Sequence, residues 1–252
     1  MVTLKLDGLG AKYGSALTVA DVTTPELKGG EMTAVIGPNA AGKSTLFKRI
    51  AELMKGPGTI HLDGARAEQK EAIRYMPQDT SANAVLTVYE SVLLAAKQGQ
   101  GWRVQDHELT YIDHLLASLQ ISDLAFRNLG ELSGGQRQLV SIAQALVRNP
   151  EVLMMDEPTS ALDLYRQVEV LGYMHALARQ KNMIVLIALH DLNHALRYCA
   201  NTLVIADGRL VAAGPSAEVI TPELLRTVYK VDARIEACSR GEKHIIIDRS
   251  AA

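Results

Sequence analysis

Gly37-Pro38-Asn39-Ala40-Ala41-Gly42-Lys43-Ser44-Thr45 follows an apolar run, Thr33 to Ile36, and precedes Leu46 to Met54, where Leu46, Ile50, Leu53 and Met54 recur at helical spacing. The run predicts a short buried strand and the following stretch an amphipathic helix with those four residues on one face. Strand, glycine turn, Lys-Ser and helix, in that order, are the context in which G-x-x-x-x-G-K-[ST] cradles phosphate. Successive backbone N–H groups converge there, and the helix start adds about half a positive charge. Lys43 is expected to reach the β- and γ-phosphates, and the Ser44 hydroxyl to ligate a Mg²⁺ that bridges the same oxygens.

The remaining composition narrows the field. The chain has 252 residues, 48% of them apolar, enough for one large domain or one domain with an insertion. A formal net charge of −2 supplies no bulk field for nucleic acid or an anionic membrane, so no nucleic-acid partner is expected. Cys199 and Cys238 share no metal-ligand spacing and suit a reducing compartment. The first seven residues lack a signal-peptide core, and the longest apolar run, Met183 to Leu189, falls far short of a membrane helix. These features predict a soluble, cytoplasmic protein whose membrane role, if it has one, comes through a partner.

Along the chain, residues 2–6 alternate as a half-buried antiparallel strand, a turn around Gly8 and Gly10 leads to Tyr13, and Val19 to Val22 offers a second strand. The Tyr13 ring has the shape to stack on a nucleotide base, although read alone it is a packed or surface tyrosine that only its company promotes. Thr59 to Leu62 and Ala72 to Met76 read as strands. Gln78, just past the second, has an amide oxygen suited to Mg²⁺ and to an attacking water. Thr87 and Glu90 form a capping box that opens a helix to about Lys97, and Asp106 to Leu119 is helical. No strand pattern occurs between Asp79 and Arg148, which predicts an α-helical insertion. It ends at Leu132-Ser133-Gly134-Gly135-Gln136, a second capping box whose double glycine bares the N–H groups of the next helix. One nucleotide cannot easily fill both anion sites of one chain, which predicts a head-to-tail dimer.

Val152 to Met155 reads as a strand buried on both faces, with Asp156-Glu157 at its carboxyl end. Acids there are costly without a cation, so Asp156 is expected to serve Mg²⁺ and Glu157 to face the water that attacks the γ-phosphate. Asp163 caps a helix from Leu164 to Gln180, and Asn182 to Leu189 is a buried strand that ends at His190. A histidine there can hydrogen-bond a γ-phosphate. His190 and His194 also have a metal-ligand spacing, but Asp191 stands where H-E-x-x-H needs glutamate and no third ligand is evident. A hairpin spans Leu203 to Ala213, short helices follow near Pro215 and Thr221, and the last strands are expected at Ala233 to Ala237 and His244 to Ile247, before a loose four-residue tail.

With Ser133-Gly134-Gly135-Gln136 in place, nearly the whole chain resembles the ATPase subunits of ATP-binding cassette (ABC) proteins. The resemblance implies an α/β fold: a P-loop NTPase (RecA-like) core with an N-terminal antiparallel β subdomain and an inserted α-helical subdomain at about 79–148. The ATPase domain would cover 2–238, and 239–252 would hold a terminal strand and tail. It makes Tyr13 the adenine-stacking aromatic, Gly37 to Thr45 the Walker A loop, Gln78 the Q-loop and Leu132 to Gln136 the signature. Val152 to Asp156 become Walker B, Glu157 the catalytic glutamate, Ser160 to Asp163 the D-loop and His190 the switch histidine. ATP and Mg²⁺ would be the cofactors, and two ATPs would be clasped between two copies. Thr159 to Leu164, His190 to Asn193 and Val228-Tyr229 through Ile235 further resemble the importers of ferric siderophores, haem and cobalamin. In those, two permease subunits and a substrate-binding protein complete a complex at the cytoplasmic membrane. Exporters and soluble mechanical ATPases are the rival classes. Soluble ones usually carry two cassettes or a coiled-coil arm, and this chain has neither. Ala40 departs from the family glycine; if the loop needs a positive φ there, its methyl costs about 1 kcal/mol.

Overall fold

The computed structural model describes residues 1–13, 16–78, 85–98, 101 and 103–251; the side chains of residues 13, 16 and 17 are outside the description. Tyr13 as a base-stacking ring, and most of the linker after Gln78, therefore lie outside the described residues.

The chain opens with β1 (Thr3–Asp7), β2 (Leu9–Tyr13), β3 (Ala16–Val22) and β4 (Leu27–Lys28), then enters β5 (Met32–Ile36) and α1 (Lys43–Ile50). β6 (Thr59–Asp63), α2 (Gln69–Ala72) and β7 (Ile73–Met76) follow. The helical insertion holds α3 (Val88–Lys97), α4 (Asp106–Ser118) and the start of α5 (Gly134–Leu146). Then come β8 (Val152–Asp156), α6 (Leu164–Lys181), β9 (Ile184–Ala188), α7 (Leu192–Tyr198), β10 (Asn201–Ala206) and β11 (Arg209–Pro215). The chain ends with α8 (Ser216–Val219), α9 (Pro222–Leu224), a wide helical turn at Leu225–Tyr229, β12 (Val231–Ala237) and β13 (Lys243–Ser250).

A six-stranded sheet ordered β11-β10-β5-β9-β8-β7 forms the centre, parallel except for β11. All five residues of β5, β8 and β9 are buried, as continuous apolar runs in a doubly covered sheet require. Their side chains alternate between two cores. Leu153, Met155, Val185 and Ile187 pack with the insertion, α5 and α6; Val152, Met154, Ile184 and Leu186 pack with α1 and the N-terminal strands. Those N-terminal strands form an antiparallel sheet β4-β1-β6 and a hairpin β2-β3. β9 lies between β5 and β8, with Asp156 opposite Ala188 and Ala188 opposite Val35. The residues that follow these three strands, at Gly37, Glu157 and His190, are thereby brought to one edge of the sheet.

Several expectations are corrected. Leu9–Tyr13, read as a turn, is a strand paired with β3. α1 stops at Ile50 because Glu52 turns left-handed (φ 58°), and Leu53, expected on its apolar face, is 67% exposed. The tail is shorter than expected: Arg249 and Ser250 pair with Asp232 and Val231. A boundary at 238 would therefore cut the β12-β13 hairpin at its turn. Both capping boxes form as read, at Thr87 with Glu90 and at Ser133 with Gln136.

Candidate functional site: a phosphate loop at the sheet edge

Gly37 leaves β5 with φ 148°, and a Cβ there would sit 1.9 Å from the Ile205 carbonyl oxygen, so no other residue fits without moving β10. Ala40 has φ 61° and Gly42, the N-cap of α1, φ 105°. The alanine thus occupies a left-handed position at a cost of about 1 kcal/mol. The Gly208 N–H donates to the Ala41 carbonyl (3.0 Å), which ties the loop to the β10-β11 turn. Lys43 is buried and donates to the carbonyls of Gly37 (2.8 Å) and Pro38 (3.0 Å). Burial lowers its pKa; the nearby carboxylates of Glu157 and Asp156 act in the opposite sense. The loop is a wall of a cavity of about 560 Å³ lined by Asn39 to Thr45, Thr18, Gln78, Glu157 and His190.

Three elements meet over Glu157. Its Oε1 is 2.5 Å from His190 Nε2, and its Oε2 accepts from Gln78 Nε2 at 2.6 Å. Glu157 itself is left-handed, φ 52°, a strain of order 1 kcal/mol that clusters at functional positions. Its backbone carbonyl accepts from Gln138 Nε2 (2.8 Å), whose Oε1 accepts from the Ala161 N–H (3.0 Å). Gln138 therefore joins α5, Glu157 and the Ser160–Asp163 loop, a role without any local sequence signal. Asp156 is buried beside it. Tyr75 donates its hydroxyl to Asp156 Oδ2 (3.1 Å), and its pKa is pushed up by burial first and by that carboxylate second. Asp156 Oδ1 is buried without a hydrogen-bond partner. An orphaned carboxylate oxygen beside the Lys43 loop fits a divalent cation and is costly without one.

Ser133 caps α5, accepting from the Gln136 N–H (3.3 Å), and Gln136 accepts from the Ser133 N–H (2.9 Å). None of Ser133 to Gln136 lines the phosphate cavity. Gly135 is needed for packing: a Cβ would lie 3.0 Å from the Ala161 carbonyl oxygen, so this turn is set directly on the Ser160–Asp163 loop. Asp163 caps α6 by accepting from the Arg166 N–H (2.9 Å). His190 precedes the α7 N-cap Asp191, so it does not share the helix with His194, and among the described residues no group of three His, Cys, Asp or Glu side chains is placed to hold a metal.

Residues 21–160 match the ABC transporter family. An uncharacterized ABC transporter ATP-binding protein of Methanocaldococcus jannaschii is 38% identical, covering 94% of both chains. The iron(3+)-hydroxamate import ATP-binding protein of Bacillus subtilis is 34% identical over 98% of this chain and 95% of its own. The ferric enterobactin transport ATP-binding protein of Escherichia coli is 34% identical over 90% and 86%. Among solved structures, an ABC transporter assigned to the metal-chelate type, in an inward-facing conformation, superposes with a TM-score of 0.85 at 26% identity over 98% of each chain. A bacterial ABC transporter cassette solved as a dimer gives 0.75 at 25% identity, over 84% of this chain and 98% of its own.

The chain belongs to the ABC transporter family. More particularly, it is an ABC ATP-binding subunit, an ATP-hydrolysing enzyme with the P-loop NTPase fold.

Proposed function

We propose that this ATPase powers the import of an iron-siderophore-type chelate, as a homodimer bound to two permease subunits at the cytoplasmic face of the membrane. A substrate-binding protein would deliver the cargo on the other side. The observation that carries the site assignment is the convergence of Lys43, Gln78, Glu157 and His190 on one cavity at the carboxyl ends of β5, β8 and β9. The cargo class rests on the siderophore relatives, whose similarity spans nearly the whole chain.

In this reading the N–H groups of Gly37 to Thr45 and the Lys43 ammonium hold the β- and γ-phosphates of ATP. By the family resemblance, Tyr13 would stack on adenine. Ser44, Gln78 and Asp156 would hold Mg²⁺, which would supply charge neutralisation when bound. Glu157 takes the proton of the attacking water, and His190 orients the carboxylate and the γ-phosphate. The Ser133 to Gln136 turn of one copy closes on the γ-phosphate held by the other, and Asp163 keeps the intervening loop in place. Absence of that turn from the phosphate cavity of its own chain supports a head-to-tail pairing.

The permease would dock where the sheet edge meets the helical insertion. A cleft of about 340 Å³ there is lined by Arg74, Tyr75, Leu86, Leu94 and Arg148. Nearby, Phe126 stands 84% exposed and stacks on Tyr89. No helix among the described residues is long and apolar enough to cross a membrane. Uptake of radio-iron as ferric hydroxamate, and of haem and cobalamin, in cells lacking this chain tests the cargo. Loss of iron uptake alone, restored by the wild-type chain and not by Glu157→Gln, is expected. Three unchanged uptakes would overturn the import reading, and loss of cobalamin or haem uptake alone would reassign the cargo.

A further inference from the structure

The turn between β12 and β13 and the exposed face of α7 enclose a second cleft, about 420 Å³, which shares no lining residue with the phosphate cavity. Its base is fastened. The Ile245 N–H donates to Asn193 Oδ1 (2.8 Å), and Asn193 Nδ2 donates to the Ile245 carbonyl (3.3 Å), so α7 and β13 hold each other through one amide. Above that clamp, Arg197 comes from α7, and Arg240 and Lys243 come from the hairpin. None of the three has a carboxylate partner within 4.0 Å among the described residues: Arg197 lies over the Tyr198 ring, and Lys243 donates to the Ala217 carbonyl (2.9 Å). Two carboxylates line the cleft. Asp191 caps α7 through its Oδ1, accepting from the Asn193 N–H (2.8 Å) and the His194 N–H (3.2 Å), and keeps its charge. With Glu242 it leaves the three cations a formal excess of one positive charge, and none of the three is ion-paired among the described residues.

We propose that this cleft binds a small polyanion bearing phosphate or carboxylate groups, and that its occupancy adjusts ATP hydrolysis through α7. Three cations on two facing walls favour a ligand with several anionic oxygens over a single charge. The volume exceeds that of one inorganic phosphate and suits a metabolite-sized molecule. A protein partner is disfavoured, because none of the lining residues is a large exposed apolar side chain of the kind that anchors interfaces. The route to the active site is short: Asp191 follows His190 directly, and α7 is fastened to the hairpin by Asn193. A ligand drawing Arg240 and Lys243 toward Arg197 loads that helix and with it His190. The regulatory half rests on the proposed role of His190; the binding half does not.

Calorimetric titration of the full chain with inorganic phosphate, pyrophosphate and tricarballylate tests the binding half. At least one probe is expected to bind, and the tighter one tells phosphate from carboxylate chemistry. Its affinity should fall about tenfold or more in the Arg240→Glu/Lys243→Glu variant and survive Lys43→Ala, which disables the phosphate loop instead. No binding up to about 10 mM, or binding lost in Lys43→Ala and kept in the double variant, overturns the proposal. At constant free Mg²⁺, the bound probe should change the ATPase rate about twofold or more in the wild type and leave the double variant unaffected. Binding with an unchanged rate removes the link to His190, while the ATPase assignment, tested by Glu157→Gln, stands apart.

Discussion

The phosphate loop and the Ser133 to Gln136 turn both open a helix, yet they are built in opposite ways. The loop is strained and anchored: Ala40 and Gly42 are left-handed, Gly37 has no room for a side chain, and Lys43 is buried, with only Asn39 and Ala40 exposed. The turn is relaxed and exposed, its Ser133 at φ −64° and the N–H groups of Ser133 and Gln136 met by a reciprocal cap. A site that must hold anion alone is preorganised at the cost of backbone strain. A site completed by a second molecule can rest as an ordinary capped helix until it meets its ligand.

Four measurements sharpen or break this contrast. The largest effect is expected from Glu157→Gln, which should cut hydrolysis by about 10²–10⁴-fold while ATP binding persists; near-normal turnover would take Glu157 out of water activation. Gly135→Asp sets a charged side chain against the Ala161 carbonyl and should cost about a hundredfold in hydrolysis. ATP titration of that variant should look like wild type, and weakened binding would mean that the turn serves its own chain. Lys43→Ala should do the reverse, lowering ATP affinity about tenfold to hundredfold by loss of a charge-assisted contact, as equilibrium titration can report. The smallest effect is Ala40→Gly, which relieves the φ of 61° and should raise unfolding stability by about 1 kcal/mol in denaturant melts. Destabilisation instead would mean that entropy in the unfolded chain outweighs the strain.

The sequence exposed whatever is encoded locally. Continuous apolar runs announced β5, β8 and β9, and both capping boxes could be read from residues three apart. β2 was hidden because Gly10 sits inside it, where a Cβ would meet Pro57 at 2.9 Å, so the glycine that reads as a turn is demanded by packing. The end of α1 depends on one left-handed glutamate, Glu52, that no periodicity marks. Gln138 and Tyr75 act across 19 and 81 residues, on Glu157 and Asp156, so their roles exist only after the sheet has formed.

One detail of the carboxylate cluster bears on how the subunit behaves when idle. Gln78 occupies one oxygen of Glu157 and His190 the other. Each of those oxygens keeps a second lone pair, but two donors stabilise the carboxylate and make it a weaker base, so in the proposed mechanism an isolated copy stands with its brake partly on. A partner that draws those two side chains away would release the brake, which would tie the pace of hydrolysis to assembly.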